Sequence, residues 1–277
     1  MKGKTCIITG ATDGIGLETA ARLGALGARL VLVGRNRAKG RAVLTALRRR
    51  VPGVEAEMHY ADLSQRDEIR RLAPELLAAA PRIDVLINNA GAFFAKRLVI
   101  EDRLERTFAL NHLGYFRLTA LLRERLIASA PARIVNVASE AHRNAALDFD
   151  DLQTARSYNG WKAYQRSKLA NILFTRALAR RLAGTGVTAN CLHPGFVATS
   201  FGDNNRGFWG FGIRLGKLFA AISVPRGAET PVYVASAPEI EGTTGKYFDK
   251  CREREPNAAA RNDADAERLW KESERLA

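Results

Sequence analysis

The chain reads as α/β, a doubly wound parallel sheet with helices on both faces, and three observations point there. Short β-branched runs alternate with longer stretches of helical period, which is the rhythm of repeated βαβ units. A glycine-rich turn, Gly10 to Gly16, follows the first such run and opens an amphipathic stretch. No repeat, low-complexity tract or linker interrupts the alternation, so one domain over residues 1–277 is expected.

Thr5–Thr9 is an apolar run between β-branched ends, the pattern of a strand buried on both faces. Its glycine turn leads into a predicted helix over Ile15–Leu26. Further strands are predicted at Arg29–Val33, Glu55–Tyr60, Val85–Asn88, Arg133–Val137 and Thr188–Leu192, with a short last one near Tyr247–Phe248. Between them, apolar spacing and Gly/Pro punctuation predict helices at Arg37–Arg50, Arg66–Ala79, Glu101–Ala128, Ala163–Ala183 and Gly227–Ala235. A cofactor half spans about residues 1–130 and a catalytic and substrate half about 131–277. Within the second half, Thr199–Pro225 lacks a period of its own and clusters Phe208, Trp209 and Phe211 between glycines, as a binding lid or a subunit contact of a homo-oligomer would.

Hydrophobic residues make up 47% of the sequence, enough for a full core. Lys and Arg total 43 against 29 Asp and Glu, a net charge of +14. Apart from Arg48-Arg49-Arg50 the basic residues are dispersed among Ala, Leu and Glu at helical period, which reads as solvated helix faces and not as a nucleic-acid surface. Cys6, Cys191 and Cys251 are far apart, and Cys6 and Cys191 sit in apolar strand-like runs, so neither a disulfide framework nor a metal site is expected. The first strand leaves no room for a signal peptide, and no apolar run reaches the roughly 18 residues of a membrane span. A cytoplasmic location follows as the expectation; an amphipathic run from Phe208 to Ala221, with Arg214 and Lys217, leaves peripheral membrane contact open.

The turn Gly10, Thr12, Asp13, Gly14, Ile15, Gly16 lies directly after a strand and before a helix, where backbone can approach a pyrophosphate and the helix supplies unpaired N–H groups. Glycines also end strands for purely structural reasons, but the position between strand and helix points to the phosphate cradle of a Rossmann-type fold. The end of the second strand then discriminates between cofactors. Where a carboxylate would hold the ribose hydroxyls of NAD, the chain reads Val33-Gly34-Arg35-Asn36-Arg37, and Arg35 suits a 2′-phosphate, hence NADP(H). Asp13 points the other way, since a carboxylate does not help a phosphate.

Hydride transfer between a carbonyl and nicotinamide also requires a proton donor for the developing alkoxide. Tyr164 and Lys168 are four apart on a predicted helix and share a face, which lets the cation lower the tyrosine pKa. Ser139 follows the strand Ile134–Ala138, at the carboxyl end of the sheet where such folds place ligands. Ser139 and Tyr164 are 25 residues apart, and the intervening segment borders the site with Trp161, as a channel wall or a packing residue. His142 and His193 lie near the site without metal-ligand spacing.

At Thr9–Gly16, Asp62-Leu63, Asn88-Asn89-Ala90-Gly91, Asn111, Ser139, Tyr164–Lys168 and Pro194-Gly195 the chain resembles the short-chain dehydrogenase/reductase superfamily over nearly its whole length. Arg133–His142, Ala163–Asn171, Leu192–Thr199 and the tail around Glu255-Pro256 and Arg268–Trp270 resemble its retinol dehydrogenase-like branch. The resemblance implies Tyr164 as general acid/base, Lys168 lowering its pKa and holding the nicotinamide ribose, Ser139 orienting the carbonyl, and Asn111 linking Lys168 through water to a proton relay. It also implies Asp62 and Leu63 at the adenine, Asn89, Ala90 and Gly91 beside the adenosine ribose, and Val197 and Thr199 at the carboxamide and phosphate after the Pro194-Gly195 turn. Two departures stand out: Ala138 replaces a serine common beside the catalytic one, and the hydrophobic N-terminal anchor of many relatives has no counterpart. The expected activity is interconversion of lipophilic alcohols with aldehydes or ketones. A pathway-specific reductase resembling protochlorophyllide reductase and a non-catalytic NADP(H)-sensing protein are the alternatives.

Overall fold

The structure, a computed structural model, describes residues 1–100, 102–195 and 223–277. Their strands are β1 Thr5–Thr9, β2 Arg29–Gly34, β3 Ala56–Tyr60, β4 Val85–Asn88, β5 Ala132–Val137, β6 Val187–His193, β7 Tyr247–Asp249 and β8 Arg252–Arg254. They form one sheet in the order β3-β2-β1-β4-β5-β6-β7-β8, parallel through β7 and antiparallel at β8. The winding reverses between β1 and β4, and that crevice at the carboxyl ends is where open α/β sheets take ligands.

The helices are α1 Gly14–Ala25, α2 Arg37–Arg50, α3 Arg66–Ala79, α4 Arg106–Phe108, α5 Gly114–Ala128, α6 Gly160–Arg181, α7 Val224–Gly227, α8 Glu229–Ser236 and α9 Asp263–Leu276. Successive strand residues point to opposite faces, so Ile7, Val31, Leu86 and Ile134 pack towards α3 and α5 while Ile8, Leu32, Ile87 and Val135 pack towards α1 and α8. That two-sided burial is why the middles of these strands are continuous apolar runs. Cys6 and Cys191 are buried free thiols.

Two predicted helices are corrected. The helix expected from Glu101 starts only at Arg106, because the Glu105 carboxylate caps the amides of Thr107 at 2.8 Å and Phe108 at 2.9 Å, while Val99 and Glu105 form a β-bridge upstream. The same helix is interrupted by a π-turn over Ala109–Leu113. The helix expected over Gly227–Ala235 divides at Ala228 into α7 and α8. Two elements, β8 and α9, have no sequence prediction. Helix α9 is capped by Asn262, buries Ala266, Leu269 and Ser273, and lies against α6, with Arg181 stacked 4.1 Å above the Trp270 ring. No helix among the described residues is long and apolar enough to cross a membrane. Most of the expected lid, with Val197 and Thr199, falls in residues 196–222, outside the described residues.

Candidate active site

The glycine turn is folded tightly against the end of β4. Gly10 and Gly14 have φ of +65° and +48°, and a Cβ on Gly10 would stand 2.8 Å from Ala90 Cα. A Cβ on Gly16 would run into the Gly10 carbonyl oxygen and the Asn89 amide. Asn89 braces the turn by donating from Nδ2 to Thr9 O at 2.9 Å and Gly10 O at 3.3 Å, and its backbone N–H and that of Ala90 donate to Thr9 Oγ1. Asp13 caps α1 by accepting from Gly14 N at 2.7 Å, and the first amides of the helix point out of its N-terminus.

The other Asp13 oxygen pairs with Lys39 Nζ at 2.5 Å. The carboxylate that argued against a phosphate is thus neutralised by a lysine that sequence reasoning missed, although its i,i+4 spacing from Arg35 on the same turn of chain was visible. Thr12 covers Gly34 so closely that a Cβ there would strike its methyl group. Arg35 is 63% exposed, with NH1 3.6 Å from Asp62 Oδ2. Asp62 accepts from Ser64 N and Oγ at 3.0 and 2.7 Å and from Arg106 at 3.1 Å. Burial pushes its pKa up, but the Ser64 bonds and the charges of Arg106 and Arg35 outweigh that and hold it below the usual value. Arg106 is a second residue that sequence reasoning missed. Leu63 is buried beside Asp62.

At the carboxyl end of β5, Ser139 heads the 3-10 turn Glu140–Asn144, its Oγ accepting from Ala141 N at 3.2 Å. Helix α6 brings Tyr164 to it, close enough for the Ser139 side chain to pull the phenol pKa down. One turn further, Lys168 is 4% exposed, donates to Val137 O at 2.9 Å and lies 5.7 Å from the Tyr164 ring centroid. Asn111 sits in the π-turn, an insertion frequent at functional sites. It pairs reciprocally with the Ala92 backbone at 2.9 and 3.0 Å and donates to Ser167 Oγ at 3.0 Å. Gly91 faces both residues: a Cβ there would lie 3.3 Å from Asn111 Oδ1 and 3.4 Å from Lys168 Nζ.

Burial pushes the Tyr164 pKa up to about 12, against the Ser139 hydrogen bond, and pushes Lys168 down to about 7. Burial is the largest influence on the tyrosine, and the Lys168 ammonium beside it lies over the ring and bonds to a carbonyl. Trp161, 44% exposed, stacks on Tyr164 with centroids 5.6 Å apart, and Phe93 meets both rings edge-on at 6.4 Å. Pro194 and Gly195, at φ +92°, turn the chain after β6.

The close approach around Gly10, Gly16 and Gly91, the N-terminus of α1 and the cations at the end of β2 fit a nicotinamide dinucleotide. Residues 4–207 match the family model described as short chain dehydrogenase. The chain is 44% identical to human retinol dehydrogenase 14, covering 99% of this chain and 86% of that one, and 40% identical to human retinol dehydrogenase 13, covering 99% and 84%. Among solved structures it is similar to an uncharacterised protein from Mycobacterium paratuberculosis, with TM-score 0.80 and 30% identity over 99% of this chain and 93% of that one. It is also similar to an actinorhodin polyketide ketoreductase with NADPH, with TM-score 0.70 and 26% identity over 90% and 97%. The chain belongs to the short-chain dehydrogenase family of alcohol/carbonyl oxidoreductases, in its retinol dehydrogenase-like branch.

Proposed function

We propose that the protein is an NADP(H)-dependent oxidoreductase that interconverts lipophilic alcohols with aldehydes or ketones, with Tyr164 as the general acid/base. The observation that carries this reading is the Ser139–Tyr164 hydroxyl pair at the carboxyl end of the sheet, one helical turn from a buried lysine. The bound nicotinamide supplies the hydride in reduction. The Ser139 hydroxyl holds the carbonyl oxygen, and the Tyr164 hydroxyl gives its proton to that oxygen as charge develops. Held near 12, the phenol is fully protonated at neutral pH, the form that reduction needs. Lys168 holds the ribose hydroxyls, and Asn111 keeps the π-turn and Ala92 in place beside it.

Gly10, Thr12, Asp13, Gly14, Ile15 and Gly16 are the proposed pyrophosphate and ribose contacts, with Asp62, Leu63, Asn89, Ala90 and Gly91 around the adenosine. Pro194, Gly195, Val197 and Thr199 are the proposed contacts on the nicotinamide side. Arg35 supports NADP(H) over NAD(H), and Lys39 adds a second cation within reach of the same phosphate. Phe93 and Trp161 form an aromatic wall at Tyr164 that suits an apolar substrate, as do the names of the retinol dehydrogenase relatives. A panel of retinal, aliphatic aldehydes, steroids, quinones and sugars, followed by NADPH absorbance and repeated with NADH, tests the reading. Turnover of lipophilic carbonyls with NADPH supports it; activity confined to sugars, or a preference for NADH, contradicts it.

A further inference from the structure

His142 is completely buried three residues after Ser139 and takes no part in the chemistry above. Its Nδ1 lies 2.7 Å from Ser139 O, and its Nε2 lies 3.4 Å from Asn257 N. A carbonyl oxygen can only accept and a backbone amide can only donate. These two partners therefore require hydrogen on Nδ1, a lone pair on Nε2 and no net charge. The His142 backbone N–H also donates to Ser139 O, at 3.2 Å, so one residue holds that carbonyl twice.

The other side of the contact comes from a part of the chain 115 residues away. Asn257 Nδ2 donates to His142 O at 3.2 Å and Arg143 O at 2.9 Å, while its Oδ1 accepts from Ala260 N at 3.0 Å. The Tyr247 ring meets the imidazole edge-on, with centroids 5.1 Å apart. The loop between β8 and α9 is thus buckled onto the turn that aims the Ser139 hydroxyl. That aim matters because a misplacement of about 1 Å can cost on the order of a hundredfold in rate.

We propose that His142 is a positioning residue for Ser139, fastened by Asn257 and competent only as the neutral Nδ1–H tautomer. The inference rests on the reading of Ser139 as the group that holds the substrate oxygen. Protonation would set an Nε2–H against the Asn257 N–H, two donors face to face, and open the buckle. Other titratable groups face the ring from three elements: Glu140 and Arg143 on its own turn, His193 on β6 and Tyr247 on β7, with Asp249 acting on His193 behind it. Glu140 is engaged by Arg143 and by the Tyr247 hydroxyl at 3.2 Å. Burial, the largest influence, holds His142 below the ordinary histidine value despite the Ser139 carbonyl, so the opening falls on the acid side of neutrality.

The test is imidazole 15N NMR of the full chain, with the His142 signals assigned by their loss in His142→Gln, together with the pH dependence of kcat. An Nδ1–H tautomer at neutral pH is expected; an Nε2–H tautomer or an imidazolium there overturns the proposal. Glutamine can donate to Ser139 O and accept from Asn257 N without titrating. His142→Gln should therefore keep kcat within about threefold of the parent and lose its acid limb, whereas His142→Leu should lower kcat about tenfold or more with the cofactor KM unchanged. An acid limb that persists in His142→Gln, or His142→Leu turnover within about twofold of the parent, overturns it. Should His142→Leu not fold, the tautomer and the His142→Gln profile still decide. Ser139→Ala retains the backbone carbonyl, so full activity in that variant contradicts the Ser139 reading separately from the tautomer result.

Discussion

Lys168 is anchored at the end of β5 beside Tyr164: its Nζ donates to Val137 O at 2.9 Å and sits 5.7 Å from the centroid of the tyrosine ring. Asn171 Nδ2 and the Tyr115 hydroxyl reach the same carbonyl at 3.4 and 3.5 Å, so the oxygen anchoring the lysine also ties α5 and α6 to the end of β5. A lysine taken out of water by burial is unfavourable as a cation, and this is why its pKa falls to about 7.

A stability prediction follows from that value. The folded pKa lies below the unfolded value of 10.5, so the lysine's contribution is least unfavourable above pH 10.5 and worsens as pH falls towards 7. Lys168→Met removes the burden. Without cofactor, the variant should melt higher than the parent near pH 7, and the gap should narrow as pH approaches 10. Equal melting temperatures across that range would show that Lys168 is not buried at a cost.

Cofactor selection is tested at the end of β2. Arg35→Ala and Lys39→Ala should each weaken NADPH by about 1–3 kcal/mol, roughly five- to 150-fold, and leave NADH nearly unaffected. Isothermal titration with both cofactors reads this directly. Equal losses for NADPH and NADH would remove the phosphate assignment.

Trp161 leaves nearly half its surface exposed while stacking on Tyr164. Trp161→Ala should therefore raise KM for long-chain and aromatic aldehydes more than for propanal, and change stability by less than about 1 kcal/mol. Steady-state kinetics across chain lengths checks it, and a uniform change in KM would assign the indole to packing alone.

Much of the fold was legible because the chemistry was local. Thr5–Thr9, Val85–Asn88, Arg37–Arg50 and Arg66–Ala79 have the bounds that apolar spacing predicts. The Tyr164–Lys168 spacing and the position of Ser139 after β5 likewise follow from one helix and one strand end. The interruptions were not legible. The π-turn at Asn111 leaves no mark on residue spacing, and β8 reads Arg-Glu-Arg, fully exposed and with no apolar alternation. Helix α9 buries only Ala266, Leu269 and Ser273, too narrow a stripe to stand out among its charges. The Arg106–Asp62 and Lys39–Asp13 pairs join residues 44 and 26 apart in sequence and exist only once the sheet has assembled.

The most direct test of the central claim is turnover by Tyr164→Phe, measured beside its NADPH affinity. The ring remains between Trp161 and Phe93, and only the proton-donating hydroxyl is lost. The proposed mechanism predicts that carbonyl reduction is abolished while NADPH binds within about threefold of the parent affinity. Reduction at a rate close to the parent's would place the proton donor elsewhere and contradict it.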